Sequence, residues 1–139
     1  MIVSLDSSIL VSSLAERERC HAACENLLFE HDCRVYSHAL AETFNVLTGS
    51  RLGYRFAASD VAALLKESVL SKVTVSLLNE DDLLTAMQLA ESRGVRGGAI
   101  YDFLHLVAAR KAGAARFYTL NTDDFIGIWR VGDPEIAHP

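Results

Sequence analysis

Proline is almost missing from this chain, occurring only at Pro134 and Pro139 of 139 residues. No proline-, glycine- or serine-rich linker, repeat or low-complexity tract divides the sequence. One domain over residues 1–139 is therefore expected, large enough for a proper core. Long apolar runs are missing as well. Half of the residues are hydrophobic and mean hydropathy is +0.19, yet no stretch approaches the roughly 20 apolar residues that span a bilayer. No basic region precedes a signal-like apolar one, because Met1–Leu5 runs straight into Asp6. A cytoplasmic protein with no membrane partner is expected. Basic charge is in deficit: 13 Lys and Arg against 18 Asp and Glu give a net charge of −5. A general electrostatic grip on nucleic acid is thus not expected, although an acidic site neutralised by bound cations remains open. Cysteine is scarce and odd in number, with Cys20, Cys24 and Cys33, which does not support a disulfide framework. Cys20 and Cys24 stand one helical turn apart near His21, His31 and Cys33. That spacing matches no familiar zinc module, and a small buried thiol is the ordinary state of a free cysteine.

What is present is an alternation of strand-like and helix-like segments. Met1–Leu5 has strand length and carries β-branched Ile2 and Val3, as a buried parallel strand requires. It ends on Asp6, followed by Ser7-Ser8 and a helix-like run from Ile9. Helical spacing marks Arg19–His31, and His38–Thr48 with an apolar stripe of Leu40, Phe44 and Leu47, stopped by Gly49. Ser50–Phe56 reads as a loop carrying Arg51 and Arg55. Ser59 can cap the next helix, whose apolar residues are Val61, Leu64, Leu65 and Val69. Further helices follow Asn79, with Asp82 at the capping-box position, and occupy Ala99–Ala112. Strands are expected at Arg34–Ser37, Lys72–Leu77 and Arg116–Leu120, with a short fifth at Trp129–Val131. This order predicts an α/β protein, a three-layer α/β/α sandwich with a central, mostly parallel sheet of four to five strands.

Several carboxylates fit poorly on an ordinary solvated surface. Asp6 falls at the carboxyl end of a strand, where ligand crevices form in open α/β sheets; capping the next helix is the competing explanation. Asp102 belongs to the most apolar helix of the chain, Ile100 to Ala109. A helix apolar nearly all round is buried, and an ionised carboxylate inside it is costly unless paired or metal-bound. In the first turn it would also complement the helix dipole. Glu42 lies about 200° around its helix from Leu40, which by itself describes a surface glutamate. Asn121-Thr122-Asp123-Asp124 follows a strand directly and has turn composition. Carboxylates gathered together repel unless they share a divalent cation, and oxygen-only donors suit Mg²⁺ or Mn²⁺ rather than zinc.

The apolar strand into DSSIL at Asp6, AETFNVLTG around Glu42, GGAIYDFLHLVAARKAGA around Asp102 and FYTLNTDDF at Asn121–Phe125 together resemble the PIN-domain ribonucleases. The resemblance covers essentially the whole chain and is strongest to the toxin subunits of bacterial VapBC-type toxin–antitoxin pairs. It implies an acidic cluster at the top of the sheet binding one or two Mg²⁺ or Mn²⁺ ions, with RNA as substrate. Asp6 and Asp102 match the metal-holding aspartates and Glu42 the third acid. The fourth acidic place falls at Asn121, with Asp124 close enough to compensate. Ser7 and Ser8 are candidates to support Asp6. Arg51 and Arg55 are candidates for phosphate contacts, and Tyr101 for stacking a base, although an aromatic in so apolar a helix more often belongs to the core. A homodimer and a cognate VapB-like antitoxin are the partners implied.

Two other α/β classes with acidic Mg²⁺ sites fit less well. A phosphoacceptor receiver domain wants an acidic pair near the first strand and an aspartate after the third, and neither is present. A haloacid-dehalogenase-type phosphatase wants an aspartate two residues after the first, where Ser8 stands. The remaining alternative is a PIN-like module that has lost catalysis and acts only through protein or RNA partners.

Overall fold

Ile2, Val3 and Leu5 form the central strand of a sheet, β1 (Ile2–Leu5), and Val3, Ser4 and Leu5 are buried on both of its faces. The computed structural model describes every residue from Met1 to Pro139. The chain continues through α1 (Ser7–Leu14), α2 (His21–Glu30), β2 (Asp32–Tyr36), α3 (His38–Thr48), α4 (Ala58–Leu64) and β3 (Val73–Ser76). It then forms α5 (Glu80–Ala90), α6 (Ala99–Lys111), β4 (Arg116–Tyr118), α7 (Thr122–Ile126) and β5 (Glu135–Ala137). The strands make one sheet in the order β3-β2-β1-β4-β5, and every pairing is parallel. From β1 the chain winds outward through β2 to β3, then returns past β1 to β4 and β5. That reversal leaves a crevice between the carboxyl ends of β1 and β4, the place where ligands bind in such sheets.

Helices cover both faces, as expected for three layers. On one face Val3, Leu5 and Val35 pack with Ile9 and Leu10 of α1 and with Leu27 and Leu28 of α2. On the other, Phe117 of β4 meets Phe103 and Leu106 of α6 and Phe125 of α7, the Phe117 and Phe125 rings lying 4.7 Å apart. Burying each such side chain is worth about 1.5–3 kcal/mol. A smaller cluster of Val11, Ala15, Leu47 and Val61 ties α1 to α3 and α4. Cys24 and Cys33 are buried thiols, pushed up by burial to about 12 and about 11 respectively. No helix is long and apolar enough to cross a membrane.

Several local expectations shift. α2 begins at His21 rather than Arg19, because Cys20 takes a left-handed conformation (φ +62°) that a helix cannot propagate through. α4 starts at Ala58, so Ser59 lies inside it and caps nothing. Its continuation, Leu65–Val69, is a wider turn closed by Leu70 N–H donating to Leu65 O at 2.8 Å. The buried side of α3 is Ala39, Thr43 and Leu47, while Phe44 is exposed. Trp129–Val131 is not a strand. It forms a turn closed by Gly132 (φ +98°), with Trp129 Nε1 donating to Pro134 O at 2.8 Å, and the fifth strand comes after Pro134. Gly49 stops α3 as expected: a Cβ there would come within 2.8 Å of Asn45 O. The Asn79–Asp82 capping box opens α5 through two reciprocal bonds of 2.9 Å.

Candidate active site

Asp6 is the first residue beyond β1, in extended conformation, and it serves as both helix cap and buried site residue. Its Oδ1 accepts from Ser8 N–H (3.0 Å), Ile9 N–H (3.3 Å) and Ser8 Oγ (2.5 Å), and its Oδ2 accepts from Thr119 Oγ1 (2.6 Å). The two hydroxyls in turn accept backbone bonds: Leu120 N–H donates to Ser8 Oγ at 2.9 Å and Asn121 N–H to Thr119 Oγ1 at 3.0 Å. The carboxylate is therefore fastened to the ends of both central strands. Burial pushes its pKa up, against these bonds, which pull it down. The supporting hydroxyl is that of Ser8, not Ser7. Thr119 was not anticipated from sequence; it is fully buried, and only the pairing of β1 with β4 brings it to Asp6.

Asp102 sits in the first turn of α6, half-buried. Burial raises its pKa to about 6, Asp124 adds to the rise, and Asp6 and Glu42 contribute in the same direction while His105 opposes. The four expected acids thus share one electrostatic neighbourhood. Glu42 is not the solvated surface residue that its helical position suggested. It projects from α3 toward α6, and His105 Nε2–H donates to its Oε1 at 2.5 Å. His105 is 2% exposed, with the Tyr36 ring edge-on at 5.4 Å. Its Nδ1 is buried without a partner. His105, too, was missed in the sequence, where it is one more residue of a helix apolar all round.

Asn121 precedes α7 without capping it, and Asp124 N–H donates to Asn121 O at 3.0 Å. Both side chains are exposed, and it is Asp124 whose charge acts on Asp102. Arg51 lines a cleft with Ser7, Ser8 and Asn121 beside Asp6. Arg55 does not reach this cleft; it lines a neighbouring one with Arg17 and Tyr54. Tyr101 is 53% exposed and stacks on His38 at 5.5 Å with 15° between the rings, outside the core.

In ligand type and charge these donors suit a hard divalent cation, since all of them are carboxylate oxygens of one sign. They are not closed into a cage, because no three acidic, histidine or cysteine side chains converge tightly enough to hold one ion.

The profile of the family described as PIN domain matches residues 3–128. The chain is 31% identical over 107 residues to Ribonuclease VapC27 of Mycobacterium tuberculosis, a match that spans 77% of this chain and 76% of that protein. Among solved structures it is similar to VapC20 of the same organism, a sarcin-ricin loop cleaving toxin, with a TM-score of 0.68 and 22% identity over 88% of this chain and 92% of that one. It is also similar to VapBC2 from Rickettsia felis bound to a promoter DNA fragment, with a TM-score of 0.70 and 19% identity over 100% and 99% of the two chains. At such identities the solved structures bear on the fold alone.

Proposed function

Since the chain belongs to the PIN-domain family, we propose that it is an endoribonuclease, the toxin of a VapBC-type toxin–antitoxin pair, cutting RNA phosphodiesters at this acidic crevice. The observation that carries the reading is a buried Asp6 at the switch point of the sheet together with a half-buried Asp102, whose pKa is raised first by burial and then by the charges of Asp124, Asp6 and Glu42. A nuclease for a polyanion has no evident use for four such groups without a cation. Asp6 and Asp102 would hold Mg²⁺ or Mn²⁺, which supplies an acidified water and charge stabilisation on the phosphate. Asp124 adds the further negative charge, in the place where Asn121 is neutral.

The chain's own groups then divide the work. Asp6, fixed by two hydroxyls and two backbone N–H groups, is a rigid anchor. Glu42, partly exposed and fixed by His105, is free on its remaining oxygen to orient a water and take its proton. His38 and Tyr101, stacked and accessible near Asp102, offer a surface for an unstacked base. A homodimer is part of the proposal, supported by exposed Leu77, Leu84 and Met87 at and beside α5. So is a VapB-like antitoxin that fills the crevice with a basic side chain.

Cleavage of RNA by the purified, antitoxin-free protein tests the reading. Activity should need Mg²⁺ or Mn²⁺, stop with EDTA and disappear in Asp6→Asn. Cleavage surviving both changes would sink the metal mechanism, and a folded protein inert with either ion would favour the partner-binding module. Light scattering that finds a monomer at tens of micromolar, the range of weak interfaces, would remove the homodimer.

A further inference from the structure

The cations of this acidic protein are unevenly committed. Arg34, Arg93, Arg110, Lys111 and Arg116 are tied up in ion pairs, and Arg130 donates to three backbone carbonyls. Arg19 and Arg51, both exposed, have no such partner, and they line the same cleft of about 220 Å³. The cleft lies between the chain after α1 and the chain after α3. Tyr54 Oη–H joins these two segments by donating to Glu18 Oε2 at 2.8 Å, and Arg17 covers the Tyr54 ring at 5.2 Å. Glu18 is the one carboxylate among the cleft's lining residues. It accepts from Tyr54 and makes no ion pair with Arg19 or Arg51. Ser12, 3% exposed, also lines the cleft, and its hydroxyl makes no hydrogen bond within the protein. At one end the cleft shares Ser8 and Asn121 with the acidic site, so an anion held there sits next to Asp6.

We propose that this cleft is a phosphate subsite for the RNA strand, in which Arg19 and Arg51 hold a backbone phosphate adjacent to the one that is cut. The proposal rests on the ribonuclease reading and adds to it the path of the substrate. The chemistry suits a phosphodiester: two guanidinium forks give paired donors for its oxygens, and the hydroxyls of Ser7 and Ser12 supply neutral ones. It also resolves the charge problem of an acidic nuclease. The carboxylate cluster repels the strand, and a flanking cationic pair gives the strand one place of attachment beside it.

Binding of a fluorescein-labelled single-stranded oligoribonucleotide of mixed sequence, read by anisotropy in EDTA, separates attachment from cleavage. For the Arg19→Ala/Arg51→Ala double variant, affinity should fall by about tenfold or more. The slope of log affinity against log salt should fall by about 1.4, two contacts at about 0.7 each on a single strand. With Mg²⁺ or Mn²⁺ present, the loss should appear in KM rather than in kcat. Lysine at both positions should restore the salt slope. Arg96→Ala, which removes an exposed arginine from a different cleft, should change nothing. An unchanged salt slope in the double variant, or an equal effect of Arg96→Ala, overturns the subsite. If wild type cleaves RNA while the double variant binds it normally, the subsite falls and the ribonuclease reading stands. If wild type neither binds nor cleaves RNA, both fall. A double variant that keeps RNA but loses an acidic segment of a protein partner would reassign the cleft to that partner and overturn the proposal.

Discussion

His105 Nε2 stands 2.5 Å from Glu42 Oε1, across 63 residues of sequence, and is the one side chain that fixes the orientation of that carboxylate. The histidine is buried and the glutamate partly exposed, so the bond runs from the interior outward to a carboxylate that solvent can reach. Its role is positional, which separates two substitutions. His105→Gln keeps an N–H donor near the same place and should retain most of kcat. His105→Leu fills the volume without a donor and should lower kcat by about 10- to 100-fold, the usual cost of losing an orienting partner, with KM little changed. Equal kcat values for the two variants would show that His105 matters only as packing.

Asp6 yields a stability prediction of its own. Thr119→Val is nearly isosteric, but it removes the hydroxyl that donates to Oδ2 and accepts from Asn121 N–H. A buried carboxylate and a loop N–H both lose a partner, and each such loss costs about 1–3 kcal/mol. Chemical denaturation of the metal-free protein should show that deficit. A variant as stable as wild type would mean that water replaces the hydroxyl and that the β4 end is not closed.

The sequence carried those parts of the site that depend on local order. Asp6 was legible because an apolar run of strand length stops on a carboxylate, and Asp102 because it interrupts a helix with hardly any polar circumference. Glu42 was legible only through the family pattern. By periodicity the apolar stripe passed through Phe44, whereas tertiary packing buries Ala39, Thr43 and Leu47 and so turns Glu42 toward α6. Thr119 and His105 left no local trace, since a buried threonine at a strand end and a histidine in an apolar helix are ordinary core residues until a distant element meets them. The misplaced fifth strand has a related cause. Trp129-Arg130-Val131 has strand composition, but Arg130 and Trp129 bond to nearby carbonyls and Asp133 holds the turn.

That turn should matter more than its surface position suggests. Asp133 has a side chain 2% exposed that accepts from Arg93 Nη1 (2.5 Å), Arg110 Nη1 (3.2 Å) and Arg130 N–H (2.9 Å). Arg93 also donates to Ile128 O at 2.9 Å and lies over the Phe103 ring. Asp133→Ala leaves a buried guanidinium unpaired and should destabilise by about 3–5 kcal/mol, a drop in Tm on the order of 10 °C for a chain of this size. Glu135→Ala breaks only the exposed pair with Arg116 and should cost less than about 1 kcal/mol. Thermal melts of the two variants side by side decide the matter, and similar Tm values would refute the buried pair's importance.

Asp102 gives the prediction in which stability and function pull apart. Its folded pKa of about 6 lies above the ordinary 3.8, so between these values the folded protein holds a proton that the unfolded chain has released. The stability this group contributes is complete below about pH 4 and is lost as pH rises through about 6. At neutral pH the ionised carboxylate is therefore a net cost, on the order of 1–2 kcal/mol once partial solvation is allowed for. Asp102→Asn removes that charge with little change of shape. In EDTA at pH 7 the variant should melt at or a few degrees above wild type, the difference vanishing near pH 4, and it should not cleave RNA. Adding Mg²⁺ or Mn²⁺ should raise the Tm of wild type and barely move that of the variant, because a ligand stabilises only the state that binds it. The comparison between variants cancels the other carboxylates, whose pKa values shift in both directions. A variant that melts well below wild type in EDTA at pH 7 would instead make Asp102 a partner of the α6 dipole, and the proposed metal site would lose one of its two aspartates.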